Sequence, residues 1–100
     1  MVRSKKYKEE LSRALKNPRE AESYLNTALE DSDIRVFLLA LKDVAEARLG
    51  SLTALSKKTK LNRENLYRML SSKGNPEVKS LELLLEALGF KLLVKFDRAA

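Results

Sequence analysis

Between Asp33 and Gly50 the chain repeats Ile34, Phe37, Leu38, Leu41, Val44 and Ala45 at helical spacing through to Leu49. Val36, Leu39 and Ala40 widen the stripe until the first half of that helix is apolar nearly all round. Such a helix belongs in the middle of a fold, with other elements packed against several of its sides. A chain of 100 residues buries roughly two-thirds of the surface it exposes when unfolded, so this helix claims a large part of the one core available. A content of 44% hydrophobic and 34% charged residues suits a globule rather than a disordered tail, and the scarcity of aromatic residues leaves the core to aliphatic side chains.

The remaining chain divides at short breaks. Tyr7, Leu11, Ala14 and Leu15 form one stripe of a first helix ending near Lys16. Asn17-Pro18 restarts the chain: Asn caps well, Pro suits the first helical position, and Glu20 stands where a capping-box carboxylate would reach back. Ala21, Tyr24, Leu25, Ala28 and Leu29 share a face of that second helix, which Asp31-Ser32-Asp33 stops. Gly50 ends the central helix and Ser51 caps the next. Short helices are expected over Leu52–Lys58 and Asn62–Ser71, joined by the turn Thr59-Lys60-Leu61. After the turn Gly74-Asn75-Pro76, Ser80 is placed to cap a last helix carrying Leu81, Leu84, Leu85 and Leu88, with Gly89 closing it.

The final segment changes period. Phe90, Leu92, Val94 and Phe96 alternate with Lys91, Leu93 and Lys95, the pattern of a strand. A lone strand needs a partner for its backbone groups, and the chain offers no second candidate. Pairing outside the monomer is therefore expected, most simply with the same strand of a second copy in a twofold dimer, alternatively with a different protein; a frayed or helical tail is the plainer reading. The expected architecture is all-α, five to six short helices with a central helix-turn-helix, plus one C-terminal β-strand paired across a dimer. It divides into a basic N-terminal helix (1–16), a helical domain (17–89, helix-turn-helix 52–71) and a strand and tail (90–100).

The chain has neither cysteine nor histidine, which removes disulfides, thiolate nucleophiles, imidazole bases and the usual zinc ligands. No spacing marks a carboxylate or Ser/Lys catalytic site, so the reading is of a non-enzyme without metal or cofactor. No apolar run approaches the ~20 residues of a spanning helix, and the N-terminus leads into charge rather than a signal segment; the expected location is the cytoplasm. Charge is uneven. Residues 1–16 carry six basic and two acidic side chains, 17–50 four and seven, 51–79 seven and two, and 80–100 three of each. Positive potential at the N-terminal arm and in the third quarter suits a polyanion held by one face, or serves solubility alone.

Within 51–79 the apolar spacing fits a helix-turn-helix, in which a first helix braces a second that projects into the DNA major groove. Leu55, Leu61, Leu66 and Met69 stand where the helices face each other and the core, and Ser56 is small where they approach. Asn62, Arg63, Asn65, Tyr67 and Arg68 are polar where DNA would lie. Arg63 and Arg68 can each pair with guanine, and Asn62 or Asn65 with adenine, while Tyr67 can touch a phosphate or thymine methyl or pack against a neighbouring helix. Glu64 near the helix start favours the dipole. Lys57, Lys58, Lys60 and Lys73 suit phosphates. Lys60 stands where such turns commonly place glycine, so it must adopt a left-handed backbone or the turn must differ.

The run Pro18–Leu29 (PREAESYLNTAL), the core phrase Phe37–Arg48 (FLLALKDVAEAR), Leu61–Tyr67 (LNRENLY) and Gly74-Asn75-Pro76 come in an order and spacing that resemble the addiction-module antidotes, antitoxins related to HigA with a helix-turn-helix like that of lambda repressor and Cro. The resemblance covers about residues 17–94. It implies a bacterial or phage-borne antitoxin that binds a small toxin, typically an RNase of the RelE/HigB/ParE type, and represses the operon encoding both. Asn62–Leu70 would be the recognition helix, led by Arg63 and Arg68, and a homodimer would read an inverted repeat in double-stranded operator DNA. The resemblance assigns no toxin-binding residues: the N-terminal helices and the final strand are both open. A stand-alone phage or plasmid repressor and a pure protein-interaction module are the competing readings.

Overall fold

The computed structural model describes residues 3–99; Met1 and Val2, at the head of the expected N-terminal segment, and Ala100, at the end of the expected tail, lie outside the described residues. Among the described residues the elements are α1 (Lys5–Leu15), α2 (Pro18–Leu29), α3 (Ile34–Leu49), α4 (Leu52–Thr59), α5 (Arg63–Met69) and α6 (Val78–Ala87). Each break read as a helix start becomes a cap, with one exception. Asn17 Oδ1 accepts the amides of Arg19 and Glu20 at 2.9 and 3.3 Å, Asp33 Oδ1 that of Arg35 at 3.0 Å, and Ser51 Oγ that of Ala54 at 3.1 Å. Ser4 caps α1 in the same way. Such a side chain stabilises a helix by about 1 kcal/mol. The Asn17 amide donates to the Ala14 carbonyl instead of to Glu20, so the expected capping box is only half made. The exception is α6, which starts at Val78 straight after the extended residue Glu77 and has no side-chain cap, leaving Ser80 inside its first turn.

Helix α3 packs against α1, α2 and α4; α1 also packs on α2, and α4 on α5 and α6. One contiguous core results. It takes Leu15 from α1, Ala21, Leu25 and Ala28 from α2, and Phe37, Leu38, Leu41, Val44 and Ala45 among others from α3. Leu52 and Leu55 of α4, Leu66 of α5, Leu70 just beyond it, and Leu84, Leu85 and Leu88 complete it. Each leucine withdrawn fully from water contributes roughly 1.5–3 kcal/mol. Helix α3 is not apolar-covered all round, however: Ile34, Val36 and Leu39 remain 52, 40 and 45% exposed. No described helix is long and apolar enough to cross a membrane.

A polar clamp closes the N-terminal end of this core. Arg3 donates from Nη1 to both carboxylate oxygens of Asp43 at 2.8 Å, and the Tyr24 hydroxyl donates to Asp43 Oδ2 at 2.7 Å. One carboxylate on α3 thus holds the arm before α1 and the middle of α2. Burial pushes the Tyr24 phenol up to about 12, and its hydrogen bond to a negatively charged acceptor pushes it the same way. Burial alone would lower the Arg3 pKa, but the Asp43 carboxylate outweighs it and the value rises.

The all-α part of the expected architecture agrees with the structure, and the C-terminal β-strand does not. Among the described residues there is no strand. Helix α6 ends in a Schellman motif, with the Phe90 amide donating to the Leu85 carbonyl at 2.8 Å and Gly89 to Glu86 at 3.0 Å. Gly89 sits at φ 90, where a side chain would be strained. Phe90 folds back onto the core with the Arg48 guanidinium 5.6 Å from its ring centroid. Beyond it Leu92, Leu93, Val94 and Phe96 are all exposed, so the alternation read from the sequence gives the tail no covered side, and no backbone ladder bond joins it to the other described residues.

The Tyr24 bond contributes stability below the ordinary phenol value of 10.0, and that contribution is lost as pH rises toward about 12. Ultraviolet titration should therefore show one late-ionising tyrosine, absent in Tyr24→Phe, and the variant should lose about 1 kcal/mol in urea unfolding at neutral pH.

Candidate functional site

The turn between α4 and α5 is built by side chains that complete its backbone bonding. Ser56 Oγ donates to the Leu61 carbonyl at 2.6 Å; Thr59 Oγ1 donates to the Leu55 carbonyl at 2.8 Å and accepts the Leu61 amide at 3.3 Å. Thr59 is the buried polar residue of the turn. Sequence reasoning assigned Ser56 for its small size and passed over Thr59, although Thr at the end of a short helix commonly bonds back to the preceding turn. Lys60 takes the left-handed conformation, φ 63 and ψ 15, at the end of α4. That resolves the two shapes left open for the turn. Helix α4 runs one residue further than expected, to Thr59, and α5 stops at Met69 rather than Ser71.

Leu55 and Leu66 are fully buried, and Leu61 and Met69 pack partly buried against the same core. With one side of α5 anchored, Asn62, Arg63, Glu64, Asn65, Tyr67 and Arg68 are all exposed. They do not stand as independent side chains. Asn62 Oδ1 accepts the amides of Glu64 at 2.8 Å and Asn65 at 3.3 Å, so it works as the cap of α5. The Arg63 guanidinium lies 5.5 Å from the Tyr67 ring centroid, one helical turn on, and Arg68 donates to Asn65 Oδ1. The two arginines are thereby held to α5 by an aromatic face and an amide oxygen. The spacings of four and three residues carried that signal in the sequence.

Lys57 and Lys58 are exposed in the last turn of α4, where cations are favoured by the helix dipole, and Lys60 and Lys73 are exposed in the turns before and after α5. Among the described residues the ion pairs are Arg3–Asp43 and Asp33–Arg35. Among the described residues none of the seven cations of 51–79 forms an ion pair, and all seven are exposed.

Gly74 closes the site after α5. A Cβ placed there would collide with the Met69 carbonyl, so the chain can pass this close to the end of α5 only as glycine. Phe90 packs partly buried against the core, while Leu92, Val94 and Phe96 lie on the exposed tail.

These features define a small all-α protein in which the seven cations of 51–79 stand on and around one braced helix pair. The chain belongs to the family described as probable addiction module antidote proteins, whose family model matches residues 5–96. It is 33% identical over 86 residues to an uncharacterized protein of Haemophilus influenzae, an alignment covering 86% of this chain and 87% of that relative. No solved structure gives a significant match. The family match takes in α1 and the exposed tail as well as the helices between them. Antidotes counter toxins, so membership implies a cognate toxin as partner.

Two substitutions test the turn chemistry in opposite directions. Lys60→Gly should raise stability by about 1 kcal/mol by removing a side chain from a left-handed residue. Gly74→Ala should lower it by about 1–3 kcal/mol, because backbone must move to admit the methyl group. Both are read from urea midpoints.

Proposed function

We propose that this protein is the antitoxin of a type II toxin–antitoxin module, binding operator DNA through α4 and α5 as a helix-turn-helix, repressing its own operon and neutralising an RNase-type toxin. The observation that carries the DNA-binding part is α5 itself. Its apolar side is locked into the core by Leu66, its other side offers Arg63, Asn65, Tyr67 and Arg68, and the cations around it have no acidic partner among the described residues. In the major groove Arg63 and Arg68 exchange their intramolecular partners for guanine edges, each contact discriminating by about 1–3 kcal/mol. Asn62 keeps its capping role, which leaves adenine to Asn65. Lys57, Lys58, Lys60 and Lys73 take phosphates and add salt-dependent affinity.

In this reading the protein binds as a twofold homodimer on an inverted repeat, with half-site centres about 34 Å or a multiple apart, as helix-turn-helix dimers do. The exposed apolar tail, Leu92 to Phe96, is the surface proposed to join the two copies. The protein acts by binding, with no catalysis, metal or cofactor, in the cytoplasm of the cell that makes the toxin. Membership in an antidote family favours this reading over a repressor without a toxin.

Fluorescence anisotropy against the DNA upstream of the gene and a scrambled duplex, at several salt concentrations, tests the proposal. The native duplex should bind at least about tenfold more tightly, and Arg63→Ala/Arg68→Ala should erase that preference while leaving a salt-sensitive background. Equal, weak binding of both duplexes by both proteins would reduce the cationic face to solubility or protein contact.

A further inference from the structure

The apolar face that α3 leaves uncovered borders a groove of about 640 Å³ between α1, α2 and α3. Its walls are Leu11 and Leu15 of α1, Ala28 of α2, and Val36 and Leu39 of α3. Val36 and Leu39 are 40 and 45% exposed, although they widen the most apolar helix of the chain. Two carboxylates, Glu20 and Asp31, stand on the α2 side, and neither has a cationic partner among the described residues. The third charged group of the lining, Arg3, is already paired with Asp43. Residues 17–33 hold five acidic side chains against one basic, the reverse of the balance around α5.

We infer that this groove is the toxin-docking surface, and that it takes a basic segment with an apolar face from the RNA-binding surface of the cognate toxin. The inference rests on the antitoxin reading above. An enzyme that cleaves RNA must hold a polyanion and therefore presents cations around its site. Carboxylates at the groove rim offer those cations the charge that RNA phosphates would supply, while Val36 and Leu39 cover the apolar part of the segment. Neither α1 nor α2 packs to any extent on α5, so toxin and operator occupy different elements and can be held together. Neutralisation then consists of covering the RNA site, with no change in the α5 surface required.

The test uses the small protein encoded beside this chain, titrated calorimetrically into the full-length wild type, Glu20→Lys/Asp31→Lys, Leu39→Glu and Arg63→Ala/Arg68→Ala. Both groove variants alter exposed side chains, and thermal melts followed by circular dichroism check that they fold. The expected result is toxin binding weakened at least about tenfold in each groove variant, with the charge-reversed one also losing the salt dependence of the wild type. Operator binding should be unchanged in the groove variants, and toxin binding unchanged in the α5 variant. Wild-type toxin affinity in both folded groove variants would overturn the docking surface alone. A shift toward monomer in sedimentation with toxin affinity intact would also overturn it, assigning the groove to a second copy of this chain. Absence of toxin binding by the wild type would overturn the antitoxin reading together with it.

Discussion

Burial of one side of α3 is the interaction on which the rest of this structure depends. Phe37, Leu38, Leu41, Val44 and Ala45 form the seam against which α1, α2 and α4 are laid, and α4 then carries α5 and α6. The N-terminal helices and the cationic helix pair have α3 as their common support. A hydrophobic seam is not directional, so polar contacts fix what it leaves free. Asp43 orients the N-terminal arm and α2 by gathering Arg3 and Tyr24, and Ser56 and Thr59 set the angle at which α5 leaves α4. These bonds are few, yet each satisfies a group that would otherwise be wholly or partly withdrawn from water without a partner.

The α2 segment and the α4–α5 pair differ in charge because they differ in the residues that build them, while α1 beside α2 carries an excess of cations of its own. Helix α2 and the turn after it supply Glu20, Glu22, Glu30, Asp31 and Asp33, whereas α4, α5 and their flanking turns supply lysine and arginine. Opposite fields on separate elements let one small protein offer a surface to a polyanion and another to a polycation without either partner being drawn to the wrong place. In the proposed reading, in which the antidote meets both a toxin and operator DNA, that separation keeps the two partners on different elements. At 39 × 31 × 25 Å the protein is small enough that the separation depends on charge placement as much as on distance.

Most helix boundaries were legible because they are decided locally. Asn17, Asp33, Ser51 and Asn62 are good caps whatever surrounds them, and Gly50 and Gly89 end helices through their own backbone freedom. Leu55, Leu61, Leu66 and Met69 were legible as the inner side of the α4–α5 pair because helical periodicity reports which residues share a face. Ser80 misled, since a capping residue type is only an offer: the extended Glu77 after Pro76 allowed α6 to start before it. The tail misled for a different reason. Alternation from Phe90 to Phe96 marks which side chains would share a face if a strand formed, but a strand forms only with a paired segment, and no other described segment of this chain is extended beside the tail.

What the sequence by itself determined is therefore everything set within a turn or two of chain: helix order, caps, the inner stripe of each helix, the excess of cations in 51–79 and of acids in 17–33. Family membership was legible on the same ground, from the order and spacing of its phrases. The tertiary structure alone decided which apolar residues are covered. Val36 and Leu39 resemble Leu38 and Leu41 in composition and differ only in the direction they face once α1 and α2 have docked. It also decided that Asp43, Tyr24 and Arg3, far apart along the chain, share a single carboxylate. The physical reason is range: propensity and periodicity act over a few residues, whereas coverage, pairing and the direction of a groove depend on where distant segments come to lie.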